Sequence, residues 1–109
     1  MGLTKKEIFS TEQNELAMIA KVLGHPARIA ILQELQKRNT CVCGDLVNEI
    51  GLAQPTISQH LKELKNIGII QGTIEGTSVC YCINVEVWNN FQQKLNNLFN
   101  GNYKNQNCC

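Results

Sequence analysis

The stretch from Cys41 to Ile70, CVCGDLVNEIGLAQPTISQHLKELKNIGII, decides how this chain is read. Its first part predicts a short helix over about 44–50, with Leu46, Val47 and Ile50 on one apolar side. Gly51-Leu52-Ala53 then supplies a turn of about three residues. Gln54-Pro55 opens a second helix, with proline in the first turn, where its missing N–H costs nothing. Ile57, Leu61 and Leu64 recur at i, i+4 and i+7 along it, and Gly68 closes it. A short helix, a glycine-containing turn and a second helix make a helix-turn-helix.

Two β-like runs follow, Ile69 to Ile74 and Ser78 to Ile83, with Glu75-Gly76 between them as a hairpin tip. A hairpin placed there forms a wing. Upstream, Leu16, Ile19, Ala20 and Leu23 lay an apolar stripe from Thr11 onward, and Gly24 stops it. His25-Pro26 opens a further helix with Ile29, Leu32 and Leu35 on its stripe. It ends in Lys37, Arg38 and Asn39, and the two cations suit the negative end of the helix dipole. Asn84 can cap a last helix carrying Trp88, Phe91, Leu95 and Leu98. The expected architecture is mainly α with a β-hairpin wing, in the order α-α-α-α-β-β-α. Residues 1–10 read as a polar lead-in, 11–100 as the winged helix-turn-helix DNA-binding and dimerisation domain, and 101–109 as a flexible tail ending in Cys108-Cys109.

A second helix packed through Ile57, Leu61 and Leu64 turns Gln59 and Lys62 away from the core. Gln54, Thr56, Ser58 and Glu63 accompany them. Glutamine can read adenine in the major groove, and hydroxyls can serve bases or phosphates. These residues make double-stranded DNA the expected partner, with Gln54, Thr56, Ser58, Gln59 and Lys62 as contacts. The alternative is an ordinary solvated helix face. Net charge is only +1, from 10 Lys and Arg against 9 Asp and Glu. Phosphate contacts should therefore be few, and binding less salt-dependent than for a strongly basic domain.

At 109 residues the chain is one small domain, a size that often draws on a partner subunit, a metal or disulfides. A Trp and a Phe on one stripe of the last helix favour a second copy as partner. The expected dimer face is Leu16, Ile19, Trp88, Phe91, Leu95 and Leu98. The 43% hydrophobic content excludes a disordered chain. No apolar run reaches the ~18 residues of a membrane span. The opening MGLTKKEIFSTEQN has no apolar signal stretch, so the expected compartment is the cytoplasm. Six cysteines are many for such a chain. In a reducing compartment they point to metal or redox chemistry before a disulfide framework.

LAMIAKVLGHPARIAILQEL, CVCGDL and LAQPTISQHLKELKNIGII together resemble the arsenical-repressor (ArsR/SmtB) family of bacterial metal-sensing repressors, over about residues 14 to 98. The resemblance implies a homodimeric winged helix, built through its first and last helices and seated on a pseudo-palindromic operator. It implies His60 as a further contact on the recognition helix. It also implies that Cys41 and Cys43 hold the inducer, arsenite or antimonite. No cofactor is expected for DNA binding itself.

Cys41 and Cys43 stand at the expected start of the short helix. Inside a regular helix their side chains point about 200° apart, so they chelate together only where the helix begins or unwinds. A helix N-terminus favours thiolates, and thiolates select soft ions. Some arsenic repressors of the family carry a third cysteine where this chain has Leu46. Cys108 and Cys109 are the candidates for that third sulfur. The zinc and cobalt site of the family's last helix is ruled out here, where Glu86 is the one acid and histidine is absent. Cys80 and Cys82 alternate on the second wing strand and share one face of it. They read as small apolar residues, as a second soft-metal site or as a redox pair.

Three functions remain at this point: a metalloid-released repressor, a thiol-redox repressor of the same fold, and a thiol-rich metal carrier that ignores DNA. An enzyme is not expected, because His25 and His60 form no acid–base constellation with a nucleophile.

Overall fold

A computed structural model describes residues 8–44, 50–74, 79–101 and 103. Among them are four helices, α1 (Thr11–Leu23), α2 (Pro26–Arg38), α3 (Gln54–Asn66) and α4 (Val85–Phe99). There are also three strands, β1 (Val42–Cys43), β2 (Ile70–Thr73) and β3 (Cys80–Ile83). The expected short helix at 44–50, the hairpin tip at Glu75-Gly76 and the tail cysteines Cys108 and Cys109 lie, wholly or for the most part, outside the described residues. No helix of the described residues is long and apolar enough to cross a membrane.

Local chemistry sets the helix ends. Ser10 and Gln13 form a reciprocal capping box at the start of α1. His25 caps α2, its Nδ1 accepting from the Ala27 N–H at 3.1 Å, with Pro26 behind it. Asn39 ends α2 in the left-handed conformation, φ 53°, which asparagine tolerates better than most residues. Asn84 caps α4 by accepting from the Val87 N–H.

Ile31, Leu32, Leu35, Ile57, Leu61, Leu64, Ile69, Ile70 and Tyr81 form the core. The α3 stripe falls where its spacing predicts. In α2 the buried set is Ala27, Ile31, Leu32 and Leu35, whereas Ile29 is 40% exposed. The expected stripe was rotated there, because α2 packs between α1 and α3 on a broader face than one row.

The sheet departs further from expectation. It has three antiparallel strands in the order β1-β3-β2, not a two-stranded hairpin. Val42 pairs with Tyr81 and Cys43 with Cys80; on the other edge Ile70 pairs with Ile83 and Gln71 with Cys82. Cys43 therefore lies in a strand, and Cys41 just before it, not at a helix start. Gly44, at φ 99°, turns the chain out of the strand while its N–H donates to the Val79 carbonyl at 2.9 Å. Val42 and Tyr81 are both buried, so the two-residue strand is held by its first residue. Gly72, at φ 122°, lies against the β3 backbone. A Cβ there would meet the Tyr81 Cα at 2.9 Å and run into the Cys80 carbonyl.

Candidate nucleic-acid interface and thiol face

At 100° per residue the core side of α3 is centred on Ile57, Leu61 and Leu64, all buried. Away from it, Ser58 and Lys62 lie in one row and Thr56, Gln59 and Glu63 in the next, while Gln54, at the first position of the helix, heads the first row from the flank of the core side. Gln54, Thr56, Gln59 and Lys62 are exposed, and Ser58 is half-buried. Two hydrogen bonds run along these rows, Gln54 Nε2 to Ser58 Oγ at 3.2 Å and Gln59 Nε2 to Glu63 Oε1 at 3.5 Å. They preset the side chains and are weak enough to exchange for base edges or phosphates.

His60 sits elsewhere. It falls on the core flank of α3, is buried, and packs against His25 with ring centroids 4.3 Å apart and the ring planes inclined by 51°. Its Nδ1 accepts from Arg28 Nε at 3.2 Å. Burial first, then the charges of His25 and Arg28, push its pKa below the ordinary imidazole value; Glu63 pulls weakly the other way. Arg28 also donates to the Val22 carbonyl at 3.0 Å, so one guanidinium ties α1, α2 and α3 together. No spacing rule in the sequence pointed to this His25–Arg28–His60 cluster, which joins the capped start of α2 to a residue of α3 more than thirty positions further on. The cluster thus engages Arg28 internally, and Arg38 is paired with Glu34 at 3.1 Å.

The cysteines fall into a pattern the linear sequence did not show. Val42 and Tyr81 face inward, so Cys43 and Cys80 face outward, and the alternation carries Cys41 and Cys82 to the same side. Cys43 and Cys80 are disulfide-bonded, with Cα atoms 4.0 Å apart. Cys41 and Cys82 are free thiols. The neighbouring Cys41 side chain first, then burial, pushes the Cys82 thiol above its ordinary value. The Gln71 side chain, opposite on β2, hydrogen-bonds the same sulfur and pulls the other way. The sulfurs are thus paired across strands, 43 with 80 and 41 with 82, and not within Cys41-Val42-Cys43. Among the described residues no group of three or more His, Cys, Asp or Glu is arranged to hold a metal ion.

Of the expected dimer face, Ile19 is already 1% exposed within one chain and belongs to its interior. Leu16 and Leu95 are half-buried. Trp88 and Phe91 pack against the core from the rim, and Leu98 stands open. Helix α4 has no fully buried residue, and an ion pair from Lys94 to Glu15 sets it across α1.

Three helices feeding a small antiparallel sheet, with a polar row exposed on α3, define a winged helix-turn-helix protein. A family model for "Bacterial regulatory protein, arsR family" matches residues 25–71. The arsenical resistance operon repressor of Staphylococcus aureus is 32% identical over 94 residues, 86% of each chain. The transcriptional repressor SmtB of Mycobacterium tuberculosis is 40% identical over 63 residues, 58% of this chain and 46% of that protein. The chain thus aligns with about half the length of that relative. NolR from Sinorhizobium fredii shares the fold, with a TM-score of 0.60 at 22% identity, covering 94% of this chain and 99% of that one. The chain belongs to the arsR family of bacterial regulatory proteins.

Proposed function

We propose that this chain is a DNA-binding transcriptional repressor that sits on its operator as a homodimer and lets go when trivalent arsenic or antimony is captured by its cysteine thiolates. The observation that carries the reading is adjacency. The thiol-bearing strands and the polar helix α3 pack on one small core, and β1 leads through Gly44 toward the turn that starts α3. A soft ion that draws sulfurs together there biases the placement of α3. DNA and inducer must then oppose each other by the same factor, and ~3 kcal/mol of coupling is about 150-fold in operator affinity. The Staphylococcus aureus relative, named for arsenical resistance, supports the choice of ion.

A second copy is supported by α4. Leu98 and Phe99 stand open on it, as do Phe9 and Met18 on the neighbouring α1 segment. A two-fold dimer of this kind presents two α3 helices to half-sites about one helical turn apart.

The Cys43–Cys80 disulfide favours a second reading, in which oxidation and not metalloid is the signal. A mobility shift on the promoter DNA upstream of the chain's own gene tests both. Retardation under strict reduction, relieved by arsenite without oxidant, is the expected result. Relief by oxidant alone assigns the redox reading, and no retardation at low salt removes DNA binding altogether.

A further inference from the structure

Adjacent antiparallel residues bring their side chains closest at positions that do not exchange backbone hydrogen bonds. Gly44 donates to Val79, so 44 and 79 are a hydrogen-bonded pair, and 43 with 80 is the close kind. Two residues further along, 41 with 82 is the close kind again. Continued one position past the end of β1, the register sets Cys41 opposite Cys82 in a place equivalent to that of Cys43 and Cys80, one pair closed as a disulfide and one open as thiols. The open pair borders a cleft of about 310 Å³ whose walls include Leu35, Ile83, Val85 and Trp88.

We propose that Cys41 and Cys82, set opposite one another by the β1–β3 register at the edge of this cleft, form a cross-strand dithiol site for a trivalent arsenic centre carrying one organic substituent. The proposal rests on the metalloid reading above and changes the sulfurs that do the work. Cys43 is bonded to Cys80, so it is not available beside Cys41 as a third donor. Two free sulfurs match an arsenic with two replaceable hydroxyls. Each thiol gives its proton to a departing hydroxide; two S–As bonds form, two As–O bonds break, two waters leave, and arsenic stays trivalent. The apolar wall beside the thiols suits the organic group, and folding has already brought the sulfurs together, which removes most of the ordering cost of a chelate. Once bridged, the strand leading toward α3 is tied to the wing strand at a second point.

The test uses the full chain with the Cys43–Cys80 bond intact, treated with phenylarsine oxide and read by intact mass and by mapping of the bridged cysteines. Because the tail pair Cys108-Cys109 can also take arsenic, the same measurement is made on the Cys108→Ser/Cys109→Ser variant. One phenylarsenic group per chain, bridging Cys41 and Cys82, is expected in that variant, with loss of two titratable thiols. Cys41→Ser or Cys82→Ser in the same background should abolish the adduct. An adduct that survives either change, or one mapped to Cys41 with Cys43, overturns the site; so does an absence of arsenic from Cys41 and Cys82 in the tail-substituted chain. Mapping on the chain with both cysteines present keeps the result independent of how the serine variants fold. Operator binding is scored separately. Arsenic on Cys41 and Cys82 with DNA still bound sinks the release mechanism and leaves the site standing, whereas release by phenylarsine oxide in a chain lacking Cys82 sinks the site and leaves the repressor standing.

Discussion

Helix α3 and the strand pair β1–β3 solve the same problem at different ranges. Each buries one side in the common core and offers chemistry from the other. In α3 both sides are written in consecutive residues: Ile57, Leu61 and Leu64 inward, Gln54, Gln59 and Lys62 outward. In the strand pair the inward contact is one residue from each strand, Val42 and Tyr81, and the outward sulfurs meet their partners 37 and 41 positions away along the chain. A periodic element carries its own instructions. A two-residue strand takes its face, its register and its chemistry from its neighbour.

That difference should appear first in stability. Closing a loop of 37 residues by the Cys43–Cys80 bond constrains the unfolded chain by about 3–4 kcal/mol in the chain-entropy description. The Cys43→Ser/Cys80→Ser double variant is therefore expected to lose roughly 2–4 kcal/mol against the oxidised parent in urea unfolding. Reduction of the parent should reproduce most of that loss. A loss under ~0.5 kcal/mol would mean that β1 is held by Val42 alone, and would make the strand pair as locally determined as the helix.

The outward side of α3 should show the reverse balance. Gln59→Ala removes an exposed side chain whose hydrogen bond, to Glu63, is long, so unfolding free energy should move by no more than ~0.5 kcal/mol. Operator affinity in a fluorescence anisotropy titration should fall by about 1–3 kcal/mol, the range for losing a bidentate base contact. Unchanged affinity would remove Gln59 from the interface and leave the row of Gln54, Ser58 and Lys62 to carry recognition.

The same contrast explains what could be read in advance. The four described helices, their caps at His25 and Asn84, and the α3 core stripe follow from spacing and capping chemistry that act within one or two turns. Strand β1 was missed because Cys-Val-Cys has too few residues to show a period, and its placement depends on Tyr81. The cysteine pairing was misplaced for the same reason: Cys41 and Cys43 are close in sequence, but the pleat keeps them side by side and hands each to a partner on β3. Ile19 shows the opposite error. Its stripe was visible, but the stripe alone does not say whether a helix of the same chain or of another covers it.

The smallest expected effect lies where the two regions share a boundary, at His60. The family resemblance implied a contact on the recognition helix, and the structure turns the residue inward against His25 and Arg28. A folded-state pKa below the unfolded value means that the unfolded chain binds the extra proton first. The stabilisation from keeping His60 neutral is thus full above the unfolded imidazole range and is lost as pH falls through the lower folded value. Unfolding free energy measured between pH 7.5 and 5 should decline toward acid, and His60→Gln should flatten that decline while lowering stability at neutral pH. If the variant keeps the parent's slope, the acid sensitivity comes from another group, and His60 is held by packing without an electrostatic consequence. If instead His60→Gln leaves stability and slope alone but weakens operator binding, the residue belongs to the outward face of α3, and the reading surface extends one residue further toward the core.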